Sequence, residues 1–276
     1  MDAPLVICVT PFFGRVSLFA NVLGCFESQD YTNAVLLVSN DTGIDLQVES
    51  KARVDVINHR NRFGTLGEKR NYMRDQAIAM GAKYIAHWDD DDFYMPTFLS
   101  QGVNQMEVSN SLACRPCPVG IGTNDAPINN NLWDPGHVRI RLDSCQQIPY
   151  DSFFMMSAEP YAKYDNIGCG ENLTFRSVAE AQGRWSIYNP GIPNCCYGWF
   201  NQIPHATNMK AGFTAGAGEL WSLGAEAVRV ASPENFDQIR ENVLQLLKVG
   251  APVTYLPQTH RRLTSLHPNV RSRRHW

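Results

Sequence analysis

The sequence predicts an α/β fold, a mainly parallel sheet of Rossmann-like form with helices on both faces. Three observations carry the prediction. Short apolar runs alternate with stretches of helical periodicity through the first hundred residues. Each run ends at proline, glycine or Asn/Asp punctuation. The runs at 5–9 and 34–38 are apolar throughout, as strands buried on both faces are. With 276 residues, 44% of them hydrophobic and 18% charged, the chain has material for one large domain or one domain with a small appendage, and is not of the disordered class.

The elements follow in order. Residues 5–9, Leu-Val-Ile-Cys-Val, form a short strand stopped by Pro11. Residues 16–26 carry Val16, Phe19, Ala20 and Leu23 at helical spacing. Residues 34–38 make a second buried strand, ending at the polar cluster Ser39, Asn40, Asp41, Thr42 and Gly43. Residues 54–57 make a third. Residues 67–80 read as a helix halted by Gly81. Residues 84–88 are a fourth strand, which runs directly into Asp89, Asp90, Asp91 and Asp92. Strand–helix–strand units of this kind build parallel sheets, whose ligands sit beyond the carboxyl ends of the strands. Thr10 with Pro11, Asn40 with Asp41, and the four aspartates therefore converge on one crevice.

The later part is looser. Residues 101–150 are rich in Asn, Pro and Gly, which predicts loops and short strands. Residues 151–156 read as a strand and 171–182 as a helix ending at Gly183. A last helix over 233–248 has Ser232 as N-cap and proline in its first turn. Its apolar stripe of Phe236, Ile239, Val243 and Leu247 is a packing face. No internal repeat is present.

Composition narrows the function classes. No basic segment followed by a long apolar run opens the chain, and no stretch approaches the ~20 apolar residues of a membrane span, so a soluble, cytoplasmic protein is expected. Eight cysteines are scattered. Cys114 and Cys117 form a CxxC pair suited to zinc or redox chemistry, but no second spaced pair completes a zinc set, and reduced, mostly buried thiols are expected. The net charge is -3. Residues 1–241 carry 18 basic and 27 acidic side chains, and the rest carries Lys248, Arg261, Arg262, Arg271, Arg273 and Arg274 with no acid. The basic tail reads either as a polyanion contact, nucleic acid among them, or as a segment docked on the protein's own acidic surface.

Four consecutive aspartates at a strand end repel one another. A divalent cation relieves that repulsion, and hard carboxylate oxygens suit Mg²⁺ or Mn²⁺. A nucleotide diphosphate completes the coordination of such an ion, which then stabilises charge on a leaving group.

The run His87-Trp88-Asp89-Asp90-Asp91-Asp92-Phe93-Tyr94-Met95-Pro96 resembles the Asp-x-Asp (DXD) segment of family-2-like glycosyltransferases with the GT-A fold. Other landmarks occur in the family's order: Val9-Thr10-Pro11-Phe12-Phe13-Gly14-Arg15, Phe26-Glu27-Ser28-Gln29-Asp30-Tyr31, Leu37-Val38-Ser39-Asn40-Asp41-Thr42-Gly43 and Gly67-Glu68-Lys69-Arg70-Asn71. The resemblance covers residues 4–210. It implies a GT-A, nucleotide-diphospho-sugar transferase domain over residues 1–215, with a donor-binding half (1–100) and an acceptor half (101–215). A small C-terminal helical extension with the basic tail occupies 216–276.

The resemblance also implies roles. Thr10, Pro11, Asp41, Arg70, Asp89 and Asp90 would bind the donor, with Asp41 on the nucleobase, although Asn40 stands where the family often has a second Asp. Asp91 and Asp89 would ligate Mn²⁺ or Mg²⁺, joined by His205, and Asp90 and Asp92 support the site. The segment Tyr164-Asp165-Asn166-Ile167-Gly168-Cys169-Gly170-Glu171-Asn172 resembles the acceptor side, where the family's Glu-Asp pair supplies the base of an inverting transfer. Asn172 replaces that Asp and cannot take a proton, so either Glu171 is the base or the enzyme is not a standard inverting one. Trp133, Trp185 and Trp199 are candidates to stack on sugar. The implied reaction is metal-dependent transfer from a nucleotide sugar, UDP-linked as first guess, to an acceptor hydroxyl on a glycan, protein, lipid or modified base in DNA. A nucleotidyltransferase and a non-catalytic nucleotide- or glycan-binding protein are the rival classes. The former usually has a Gly-rich basic loop after the first strand, which residues 10–15 do not supply.

Overall fold

The computed structural model describes residues 3–124, 138–143, 153–159, 162–167, 172–198 and 227–249. In chain order its elements are β1 (Val6–Phe12), α1 (Val16–Glu27), β2 (Ala34–Asn40), β3 (Asp45–Glu49), β4 (Val54–Asn58), α2 (Leu66–Ala79), β5 (Tyr84–His87), β6 (Phe93–Tyr94) and α3 (Phe98–Ser109). They continue with β7 (Ala113–Pro116), β8 (Val119–Asn124), β9 (Val138–Asp143), β10 (Met155–Ser157), α4 (Leu173–Ala181), β11 (Trp185–Tyr188), β12 (Cys195–Gly198), β13 (Ala227–Ala231) and α5 (Phe236–Val249).

Seven strands form the main sheet in the order β11-β7-β10-β5-β1-β2-β4. All run parallel except β10, which is antiparallel to both β5 and β7. A second sheet, β6-β12-β8-β9, lies after the acidic run, and β13 pairs with β3 in a small third one. The predicted class is the one found, and no helix among the described residues is long and apolar enough to cross a membrane.

Period-two alternation in the strands splits the core into two layers. Val6, Cys8, Leu36, Val38 and Ala86 face one side, packed under α1, α3 and α5. Ile7, Val9, Val35, Leu37 and Ile85 face the other, against Met73 and Ala77 of α2 and Phe175 and Ala179 of α4. The described part of the C-terminal extension belongs to the first layer through Val230, Phe236, Ile239, Val243 and Leu247. Gly24 of α1 seats the Phe236 ring so closely that a Cβ there would lie 2.4 Å from it.

Three local expectations are corrected. β1 does not stop at Pro11 but continues to Phe12, paired with β2. Its pairing with β5 ends at Val9 opposite His87, so no strand faces Pro11 on the side where its missing N–H would be needed. Ser232 does not cap the last helix; its hydroxyl donates to Glu27 Oε2 at 2.7 Å, and the helix begins later, at Phe236. The helix expected from residue 171 begins at Leu173. β3 and β13 were not anticipated.

Candidate functional site

The acidic run is built into the fold, not laid on its surface. Trp88 leaves β5 fully buried and stacks on Tyr94 of β6, with ring centroids 3.8 Å apart and planes at 12°. Phe26 and Phe98 meet Trp88 edge-on. The residues between the stacked rings must turn tightly. The turn is closed by the Asp89 N–H, which donates to Tyr94 Oη at 2.8 Å, and by Thr10 Oγ1, which donates to the Trp88 carbonyl at 2.6 Å. Thr10 is thus a fully buried tie between β1 and the base of the turn, and Pro11 is buried beside it.

Burying three of the four aspartates demands compensation: Asp90, Asp91 and Asp92 are 1%, 5% and 0% exposed. Arg15 supplies it for two. One guanidinium nitrogen bonds Asp91 Oδ2 at 2.6 Å and another bonds Asp90 Oδ1, while the Phe13 N–H donates to Asp90 Oδ2 at 2.9 Å. Arg15 reaches there because Gly14, at φ 86°, turns the chain from β1 into α1 through a conformation that favours glycine. Burial works against the Arg15 charge, yet the pull of Asp90 and Asp91 raises its pKa. Burial also raises the Asp90 pKa, opposed by Arg15. Asp92 takes a different course. Its Oδ1 accepts from the Gly198 N–H of β12 at 3.0 Å, and Oδ2 has no hydrogen-bond partner among the described residues. Burial, then the charges of Asp91 and Asp89, push its pKa well up.

The N-terminus of α2 supplies two further cations. Thr65 caps it, accepting from the Glu68 N–H at 3.1 Å, and Glu68 Oε2 accepts from the Gly64 N–H at 3.0 Å. The first turn then aims Lys69 and Arg70 at the strand ends. Lys69 Nζ donates to the Phe12 carbonyl at 2.8 Å and to Asp41 Oδ1 at 2.5 Å; the Phe63 N–H donates to Asp41 Oδ2 at 3.0 Å. Arg70 pairs with Asp89 at 2.8 Å. The three polar clusters expected at the carboxyl ends of β1, β2 and β5 are therefore joined, β2 and β5 by ion pairs to α2 and β1 by hydrogen bonds to Trp88 and Lys69. Lys69 and Arg15 had no role assigned from the sequence. Their signal was position alone: Lys69 adjoins Arg70, and Arg15 ends the Val9–Arg15 landmark.

Asn40, where an aspartate was the expectation, is accounted for by its bonds. Its Nδ2 donates to the Ile44 carbonyl and Asn58 Oδ1, both at 2.7 Å, and its Oδ1 accepts from Thr42 Oγ1 at 2.7 Å. A carboxylate could not make the first two. Beside Asp41, His59, Phe63 and Tyr72 form an aromatic group with centroids 4.9–5.5 Å apart. Arg62 lies 5.4 Å over the Phe13 ring.

On the acceptor side, residues 162–167 are fastened to the donor half. Asn71 Nδ2 donates to the Tyr164 carbonyl at 2.8 Å and its Oδ1 accepts from the Tyr164 N–H at 2.9 Å. Tyr164 Oη meets His87 Nε2 under the sheet. Asp165 accepts from Thr174 Oγ1 of α4 at 2.6 Å, and Asn172 is the N-cap residue of that helix. Glu171, His205, Trp133, Trp199 and the basic tail lie outside the described residues. Trp185 sits on edge strand β11 with its ring beside Phe154 and Arg176, a packing position. The six described cysteines form no disulfide, and five of them are buried, as expected; burial pushes the Cys114 thiol up to about 12.

No group of three His, Cys, Asp or Glu side chains able to hold a metal converges among the described residues. Asp89 and Asp91 offer hard carboxylate oxygens, so a divalent ion held by them must draw its remaining ligands from a bound phosphate group or from outside the described residues.

No protein-family model matches the chain, and no curated protein matches it. Solved structures do. S. aureus TarS 1-349 in complex with UDP-GlcNAc superposes with a TM-score of 0.53 at 12% identity, over 74% of this chain and 61% of that one. TarS 1-349 without a named ligand gives 0.50 at 10% identity over 70% and 60%. A longer TarS chain gives 0.50 at 12% identity over 70% and 36%. The chain thus spans about three fifths of the first two TarS chains. The likeness is one of fold, and it is the GT-A fold that the sequence led us to expect.

Proposed function

We propose that the chain is a glycosyltransferase that moves a sugar from a nucleotide-sugar donor, UDP-linked by first choice, to an acceptor hydroxyl. One observation carries the reading. At the carboxyl ends of β1, β2 and β5 the Asp41–Lys69, Asp89–Arg70 and Asp90/Asp91–Arg15 pairs gather three cations and four carboxylates, on a fold shared with a protein crystallised with UDP-GlcNAc. Catalysis of glycosyl transfer from a diphosphate is largely charge stabilisation at the leaving group. Arg70 and Lys69 are assigned to meet that charge. Asp41, with the aromatic group beside it, is assigned to the nucleobase. Mn²⁺ or Mg²⁺ is assigned to Asp91 and Asp89, with His205 joining; when bound, such an ion stabilises the departing diphosphate as a Lewis acid. Glu171 is assigned as the base that takes the acceptor's proton, with Asp165, held by Thr174, as the second candidate.

The test is nucleotide release from a panel of UDP-, GDP- and dTDP-sugars, with and without Mn²⁺. Release of UDP that needs the metal and falls on substitution of Asp91 supports the assignment. Pyrophosphate release from a nucleoside triphosphate and a sugar phosphate would replace it with the nucleotidyltransferase reading.

A further inference from the structure

We propose that Arg15 is the residue that makes cation binding at this site depend on the donor. The proposal rests on the donor and metal assignments above and deepens them. Arg15 already occupies Asp91 Oδ2, an oxygen of a carboxylate assigned to the divalent ion, together with Asp90 Oδ1 beside it. Its side chain is 11% exposed, so water screens it little, and Gly14 and the start of α1 fix its backbone beside the turn. A guanidinium and a dication on one buried carboxylate repel each other strongly at such range. The chain has built in its own counter-ion, and a metal arriving alone must displace it or endure it.

A nucleotide diphosphate changes the balance. It brings anionic oxygens that attract both the guanidinium and the metal, and Arg15 has donors in a planar fork suited to phosphate as well as to carboxylate. Its Nε is buried and has no hydrogen-bond partner among the described residues, so the guanidinium leaves one donor unused while it holds the two carboxylates. With the diphosphate present, the guanidinium and the cation no longer compete for one set of charges. Cation and nucleotide then bind cooperatively, and the coupling runs through Arg15. Coupling of this kind is reciprocal: whatever factor UDP adds to Mn²⁺ affinity, Mn²⁺ adds to UDP affinity.

The experiment measures Mn²⁺ binding to the full chain by loss of the free-ion electron paramagnetic resonance signal, with and without UDP. Wild type, Arg15→Met, Arg15→Lys and Asp91→Asn are compared. Wild type should bind Mn²⁺ weakly alone and at least about tenfold more tightly with UDP, within the usual range of coupling factors. Arg15→Met should bind Mn²⁺ alone about tenfold more tightly than wild type and lose most of the UDP effect. Arg15→Lys, which keeps the charge but not the planar fork, should bind Mn²⁺ alone as weakly as wild type and show a smaller UDP effect. Arg15→Met leaves Asp90 and Asp91 without their cation and could unfold. Arg15→Gln, which keeps donors without charge, makes the same prediction, and its melting temperature should rise with Mn²⁺ alone where wild type's does not. Unchanged Mn²⁺ affinity in both uncharged variants, with UDP still tightening wild type through Asp91, overturns the proposal and leaves the metal assignment standing. Mn²⁺ binding that is absent with UDP, or untouched by Asp91→Asn, overturns the metal assignment itself and the proposal with it.

Discussion

Lys69 joins β1 to β2 from outside the sheet: one ammonium donates to the Phe12 carbonyl at 2.8 Å and to Asp41 Oδ1 at 2.5 Å. Both side chains are nearly buried, so the charge sits in a poorly screened place, and burial lowers the Lys69 pKa against the opposing pull of Asp41. Removing one partner of such a pair strands the other. Lys69→Met should therefore destabilise the fold by about 3–5 kcal/mol in urea unfolding. The double variant with Asp41→Asn should recover part of that loss, because the stranded carboxylate is gone. A single-variant loss below about 1 kcal/mol would show that Asp41 is relieved in some other way.

Asp91 and Glu171 are assigned to different halves of the reaction, so their variants should fail differently. Asp91→Asn keeps the volume and a hydrogen-bond acceptor for Arg15. It should fold and lose on the order of 10²–10³ in kcat, the scale of removing one preorganised electrostatic group. Glu171→Gln should bind donor normally and lose transfer to acceptor. Near-normal transfer by Glu171→Gln moves the base to Asp165 or points to retention, which the anomeric configuration of the product, read by NMR, decides independently.

How far the sequence foretold this site depends on the distance each relationship spans. β1, β2, β4, β5 and α1 were legible because burial writes a local pattern, a run of Val, Ile and Leu or a 3.6 period. The four aspartates were legible because they are contiguous. Arg15 on Asp90 was not: the two lie 75 positions apart and meet only after the sheet has formed. Pro11 misled, because its usual veto on strand pairing lapses where the neighbouring strand has already ended. Ser232 misled because a serine before a helix serves equally well as a partner for a carboxylate on another element, here Glu27.

His87 makes acid stability testable. It is fully buried, its ring 3.9 Å from that of Phe154 and tilted 39° to it, and bonded through Nε2 to Tyr164, with Nδ1 lacking a hydrogen-bond partner among the described residues. Burial, then the Arg70 charge, holds its pKa well below the usual value of 6.5. The unfolded chain takes a proton at this histidine below pH 6.5 and the folded chain does not. The contribution is therefore complete above 6.5 and is lost as the pH falls, at up to about 1.4 kcal/mol per pH unit. His87→Gln should be less stable at neutral pH but should lose this part of the slope between pH 6.5 and 5. An unchanged slope in urea titrations would show that His87 charges in the folded state.

The docking of α5 rests on two glycines, Gly24 of α1 and Gly120 of β8. Gly24 lies inside α1, where alanine ordinarily gains about 1 kcal/mol. Here its Cβ would sit 2.4 Å from the Phe236 ring at the start of α5, and at Gly120 a Cβ would lie 2.6 Å from Leu247 near that helix's end. Both partners are buried and part of the main cluster, so neither ring nor methyl group can swing into solvent without exposing the core. Gly24→Ala should thus be net destabilising, by about 1–3 kcal/mol of overpacking less the propensity gain. Phe236→Leu, which removes the ring, should reduce the penalty of the alanine, a coupling that a double-mutant cycle in thermal unfolding reads directly. Helix α5 also rests on the Glu27–Ser232 bond, which precedes Phe236 and would hold the entering chain in place. Protease sensitivity should accordingly appear within residues 227–249 in Gly24→Ala while the donor-side ion pairs survive and UDP affinity is unchanged. If nucleotide binding falls in step with stability, α5 is coupled to the donor site through α1, whose N-terminus carries Arg15.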